Sequence, residues 1–115
     1  MITLLEAKDY LRVDSTFEDD LIEGMLASAQ TLCRDVARLT AEKWDAIAAA
    51  TEESDVVEIN GSEYTAAEQM QMRNILRIAS LYALGYLYEH REEADHHDLV
   101  LTLRNLLFSI REGVL

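Results

Sequence analysis

The chain has no proline, four glycines and a single cysteine among its 115 residues. Turns draw on proline and glycine for fixed or positive φ, so their scarcity argues against a loop-rich or all-β fold. Long uninterrupted helices are the simpler reading. One cysteine, Cys33, cannot close an internal disulfide, and nothing points to an oxidising compartment. The longest apolar stretch, Ile75 to Tyr88, contains Arg77 and falls short of the roughly twenty residues that span a bilayer. Met1 to Tyr10 lacks the basic and apolar regions of a secretory signal. The expectation is a soluble protein of the cytoplasm with no membrane contact.

Basic residues are also scarce. Ten Lys and Arg face twenty-two Asp and Glu, a net charge of −12. Grip on nucleic acid comes from clustered Lys and Arg, so free DNA is repelled rather than held. The imbalance is greatest in the middle, where residues 39–65 carry seven acids and one base. Half of the residues are hydrophobic, enough for one core, and the length suits one domain over 1–115.

Apolar spacing and caps divide that domain into a mainly α fold: a small helical bundle around a long central helix, with one short β-hairpin. Thr3 and Glu6 have capping-box spacing and open a short helix over about 3–12. Thr16 is expected to cap a second helix, with Glu18, Asp19 and Asp20 in its first turn. Its apolar half is Phe17, Leu21, Ile22, Met25, Leu26, Ala29, Leu32, Cys33 and Val36. Thr40 opens a third helix to about Ala50, carrying Trp44 and Ile47. Val56 to Ile59, Asn60-Gly61 and Ser62 to Thr65 read as a hairpin, because Asn-Gly suits a turn with positive φ at both residues. Thr65 and Glu68 repeat the capping box and open the longest helix, to about His90. Its second half is apolar all round, the mark of a helix buried on several sides. Asp98 is expected to cap a last helix over about 99–111.

No catalytic template is present. There is no phosphate-binding glycine loop, no G-x-S-x-G and no dinucleotide fingerprint, which excludes the usual packaging ATPase. His90, His96 and His97 with Asp95 and Asp98 match no zinc spacing and read as a solvated connector. Cys33 sits on the apolar face of its helix and reads as a buried structural thiol. The acids Glu18, Asp19, Asp20 and Glu23 are explained by their place at a helix start. Arg73 and Arg77, one turn apart, are expected to pair with acids of this or a neighbouring subunit. No catalytic, cofactor or metal residue is therefore assigned, and no enzymatic activity is expected.

The last helix carries more information. Leu99, Leu103, Leu106 and Ile110, widened by Val100 and Leu107, form the stripe that docks it on the core. Leu101 and Phe108 lie on another side, beside Arg104 and Arg111. A monomer needs one face covered, and a second apolar stripe bordered by arginines has the composition of an interface. The alternative is that a loop or the hairpin covers it. Leu101, Arg104, Phe108 and Arg111 are the candidate interface residues.

Two stretches together carry a resemblance. The first is Leu4-Leu5-Glu6-Ala7-Lys8-Asp9-Tyr10-Leu11-Arg12-Val13-Asp14, followed by Glu18-Asp19-Asp20-Leu21-Ile22-Glu23-Gly24-Met25-Leu26-Ala27-Ser28-Ala29. The second is Leu84-Gly85-Tyr86-Leu87-Tyr88-Glu89-His90-Arg91-Glu92, then Leu103-Arg104-Asn105-Leu106-Leu107-Phe108-Ser109-Ile110-Arg111. In this order they resemble the head–tail connector family of long-tailed bacteriophages and prophages, whose members are often described as DNA-packaging proteins. The resemblance covers both ends, somewhat over half the chain. Residues 37–68 depart from the pattern: the Gly-Arg after the second helix and the Pro before the long helix are missing, and the Trp44 helix looks like an insertion.

The resemblance implies a structural protein, a subunit of a homo-oligomeric ring of about a dozen copies built by head-to-tail contacts. Its partners would be itself, the portal above and the next neck or tail-completion protein below. DNA would pass the channel without specific binding. Assembly would take place in the host cytoplasm and the finished ring would sit in the virion neck. A small acidic regulator, antitoxin-like and bound to a basic partner, is the alternative from another class.

Overall fold

The computed structural model describes residues 1–59, 61–92 and 96–110. Asn60, Asp95 and Arg111, on which parts of the sequence reading fell, lie outside them. The fold is mostly helical with one short hairpin: α1 (Leu4–Leu11), α2 (Asp19–Ala37), α3 (Ala41–Ala48), β1 (Val57–Ile59), β2 (Ser62–Tyr64), α4 (Ala66–Glu89), α5 (His97–Leu106) and a 3-10 turn, Phe108–Ile110.

Local chemistry sets most boundaries. At both capping boxes the threonine hydroxyl accepts from the backbone N–H three residues on, and the glutamate carboxylate accepts from the threonine N–H. These distances are 3.1 and 3.2 Å for Thr3 and Glu6, and 3.3 and 3.1 Å for Thr65 and Glu68. Thr40 Oγ1 likewise accepts from the Lys43 N–H at 3.2 Å. Each bond satisfies a donor that the helix start leaves free. Helices α1 and α2 both end on an arginine with positive φ, Arg12 at 59° and Arg38 at 57°. The next N–H reaches back to Lys8 O and Arg34 O respectively, the Schellman pattern. It turns Val13 and Leu39 back onto the core.

Helix α4 is the centre. Helix α2 lies along it most extensively, and α1, α3, α5 and β2 also pack on it. The core joins Leu76, Ala79, Ala83 and Leu84 of α4 to Ile22, Leu26, Ala29 and Cys33 of α2 and to Leu99 and Leu103 of α5. Each fully buried Leu or Ile contributes about 1.5–3 kcal/mol of transfer free energy.

The hairpin is antiparallel, with Ile59 opposite Ser62 and Val57 opposite Tyr64. Gly61 in its turn has φ 79°, as a tight hairpin requires. An isolated hairpin is marginal, and two devices hold this one. Ile59 is buried, and the buried amide of Gln69 donates to Asp55 O at 2.6 Å and Tyr64 O at 3.0 Å.

Several expectations need correction. Helix α2 starts at Asp19, and Glu18 rather than Thr16 holds the cap position, without a side-chain cap bond. Phe17 therefore lies before the helix, 96% exposed, and not on the core face. Asp98 is inside the first turn of α5 and His96 takes the cap position. The last helix stops at Leu106 and the 3-10 turn follows; Leu107, one turn after Leu103 and bonded to its carbonyl, is buried with Ile110, while Leu106 is 41% exposed. Helix α4 is buried on several sides, as its apolar second half led one to expect, with Ile78 and Tyr82 on the side left facing outward.

Candidate interaction surfaces

The chemistry-bearing side chains form three groups. In the first, α1 is tied to α4. Arg77 donates to Met1 O at 2.9 Å and makes an ion pair with Glu6. The Arg77 hydrogen bond holds the Glu6 carboxyl below its ordinary range, and the Thr3 backbone N–H adds to this. One turn earlier, Arg73 buries its Nε without a hydrogen-bond partner.

The second group joins the start of α2 to the end of α4. Tyr88 donates its hydroxyl to Glu18 at 3.0 Å, Arg91 stands 3.5 Å from the same carboxylate, and its guanidinium lies 4.7 Å from the centroid of the Tyr88 ring. Lys8 and Asp19 pair at 2.8 Å beside them. Of the four acids near residue 20, two are thus spent on fastening helices. Only the first-turn position was legible in the sequence; the Tyr88 partner of Glu18 comes from 70 residues away.

The third group contains the histidines. His90 stacks on Tyr86 with ring centroids 4.1 Å apart, and His96 meets the same ring edge-on at 6.0 Å. The His90 Nδ1–H donates to Tyr86 O at 2.9 Å. Among the described residues no group of three or more His, Cys, Asp or Glu side chains is placed to hold a metal ion. Cys33 is buried, and loss of solvation pushes its thiol up to about 11. A thiol so protonated is a poor nucleophile at neutral pH.

What remains on the surface is apolar and charged. On α5, Leu101 is 43% exposed and Arg104, one turn on, is exposed with no carboxylate partner among the described residues. Phe108, at the start of the 3-10 turn, is 61% exposed. Neither the hairpin nor a described loop covers this stripe. Arg111, its fourth expected member, lies outside the described residues. On the hairpin, Glu58 and Glu63 stand directly opposite each other and both are exposed. Exposed Phe17 was missed because helical periodicity assigned it to the core; Ile78 and Tyr82 were missed because an all-apolar segment has no polar side to mark its outer face.

Among the described residues no helix is long and apolar enough to cross a membrane. No curated protein and no solved structure matches the chain. A family model does, described as phage gp6-like head-tail connector protein, over residues 1–114. The match runs through residues 37–68, which the resemblance of the two ends had left aside. By that match, which spans nearly the whole sequence, the chain belongs to the phage gp6-like head-tail connector family and is a structural component of the virion neck that associates with other head and tail proteins.

Proposed function

We propose that copies of this chain form a closed ring beneath the portal, continue the DNA channel, and offer their lower side to the next neck or tail-completion protein. The family match over residues 1–114 carries this reading. Two physical features support it. A net charge of −12 suits a wall past which DNA must slide, because carboxylates repel phosphates and hold none in place. The uncovered stripe of Leu101, Arg104 and Phe108, with Arg111 as its sequence neighbour, supplies apolar area and cationic charge for a protein contact. Assembly then takes place in the host cytoplasm, on the portal.

The test is electron microscopy of portal rings from the same phage, with and without the purified chain. A second ring of density under the portal is the expected result. A stoichiometric one-to-one complex with a basic protein and no density on portal would overturn the reading in favour of an acidic regulator. Duplex DNA should not be retarded by the chain at physiological salt; a salt-dependent shift at micromolar protein would remove the argument from channel charge.

A further inference from the structure

We propose that the Leu101–Arg104–Phe108 face of one copy docks on the outer face of the hairpin of a second copy, with Arg104 set between Glu58 and Glu63. The inference rests on the ring-forming reading above and names the two surfaces that join.

The hairpin is the more unusual surface. Glu58 and Glu63 form a cross-strand pair, and like charges directly opposite each other on a sheet face destabilise it. Neither carboxylate has a cation partner among the described residues. The strand alternation that turns Val57, Ile59 and Tyr64 inward turns Val56 outward with Glu58, and Val56 is 57% exposed. This face is therefore an apolar residue beside two uncompensated carboxylates, held rigidly by the Gln69 clamp underneath.

The α5 face is its complement. Arg104 is exposed, has no acid partner among the described residues, and is bordered by exposed Leu101 and Phe108. One guanidinium can donate to two carboxylates at once, and charge-assisted bonds of that kind are the strong ones. Within one chain no ion pair joins Arg104 to either glutamate. The hairpin rests on α3 and α4, whereas α5 rests on α2 and α4. The contact therefore joins different patches on two copies, and a heterologous contact of this type builds rings when its rotation closes. Charge demands such a match: chains of net charge −12 repel one another, so attraction must be concentrated where an unpaired base meets unpaired acids.

A charge exchange tests this. Arg104→Glu alone, and Glu58→Arg with Glu63→Arg alone, should each lower the ring fraction on portal at least about tenfold while leaving the helical circular dichroism unchanged. The variant carrying all three substitutions should recover assembly. A parent that forms rings together with a triple variant that does not would overturn the contact and leave the ring reading standing. A parent that forms no ring on portal would overturn both. A second measurement leaves the three charges in place: Val56→Cys combined with Leu101→Cys, both exposed positions, should give a ladder of multimers with a short bismaleimide crosslinker, with the 56 and 101 peptides joined between copies. Buried Cys33 stays out of that reaction. Rings without the ladder would likewise overturn the contact.

Discussion

The ring of Tyr10 on α1 packs against Gly85 of α4, so closely that a Cβ there would stand 3.1 Å from Tyr10 Cε2. This is how the short first helix stays near the central one at its far end. Gly24, in the middle of α2, is open: a Cβ at that position would meet nothing within 4 Å. The two glycines therefore predict different outcomes for one substitution. Gly24→Ala gains helix propensity without steric cost and should stabilise the chain by about 0.5–1 kcal/mol. Gly85→Ala has the same gain offset by a displaced Tyr10, and should fall within about 0.5 kcal/mol of the parent. Urea unfolding of both variants is the measurement; equal gains would show that Tyr10 is not held by Gly85.

Glu6 gives the chain an acid-sensitive contact. Its carboxyl is held below the ordinary value of 4.5, chiefly by Arg77. A group with a lowered folded-state pKa adds stability above its unfolded pKa and loses it as pH falls through the folded value. Stability from this contact is therefore complete at neutral pH and fades below about pH 4.5. In Arg77→Met the Glu6 titration, followed by carboxyl NMR, should move up toward 4.5. If it does not move, the Thr3 backbone bond and not the arginine sets the shift.

Trp44 is half-buried, packed against the edge of the core from α3, while Ile47 on the same helix is fully buried. Trp44→Ala should thus cost about 2 kcal/mol, less than the roughly 3–5 kcal/mol of a fully enclosed tryptophan. Ile47→Ala should cost at least as much, about 2–4 kcal/mol, despite the smaller side chain. Reversal of that order in denaturant titrations would show that α3 is anchored by its indole.

The features legible in the sequence were those whose cause is local. Thr3, Thr40 and Thr65 announced three helix starts because a cap needs only its own residue and the next three. Gly61 announced the hairpin turn for the same reason. One misreading arose where geometry changed between neighbouring residues. Periodicity carried Phe17 onto the α2 face, but the helix begins only at Asp19, so its phase does not extend to Phe17. The misreading at the other end was one of phase: Leu107 follows Leu99 and Leu103 at four-residue spacing and is buried, whereas Leu106, on the flank of that line, is 41% exposed. Tertiary partners left no local trace at all: nothing near Gln69 says that its amide clamps a hairpin, and nothing near Arg77 says that its partner is the backbone of Met1. The exposed stripe on α5 was legible because it required only surplus, more apolar surface than one helix needs for its own core.

Phe108 is where that surplus can be tested most directly. A buried phenylalanine replaced by aspartate would leave a charge without solvent and unfold a domain of this size. Phe108 is 61% exposed, and the anchors of its segment are its neighbours Leu107 and Ile110, both buried. Phe108→Asp should therefore keep the circular dichroism of the parent and its melting temperature to within about 3 °C, the shift that roughly 0.5 kcal/mol makes in a domain of this length. In assembly the same change should be severe. It removes a large apolar side chain beside Arg104 and adds an acid to a chain that already repels its copies. The variant should fail to join heads to tails in complementation and fail to form density on portal. Leu107→Asp is the control, and it should unfold. A Phe108→Asp chain that folds and assembles normally would remove the α5 stripe from the interface and leave exposed Phe17, or Ile78 with Tyr82, as the surfaces to test next.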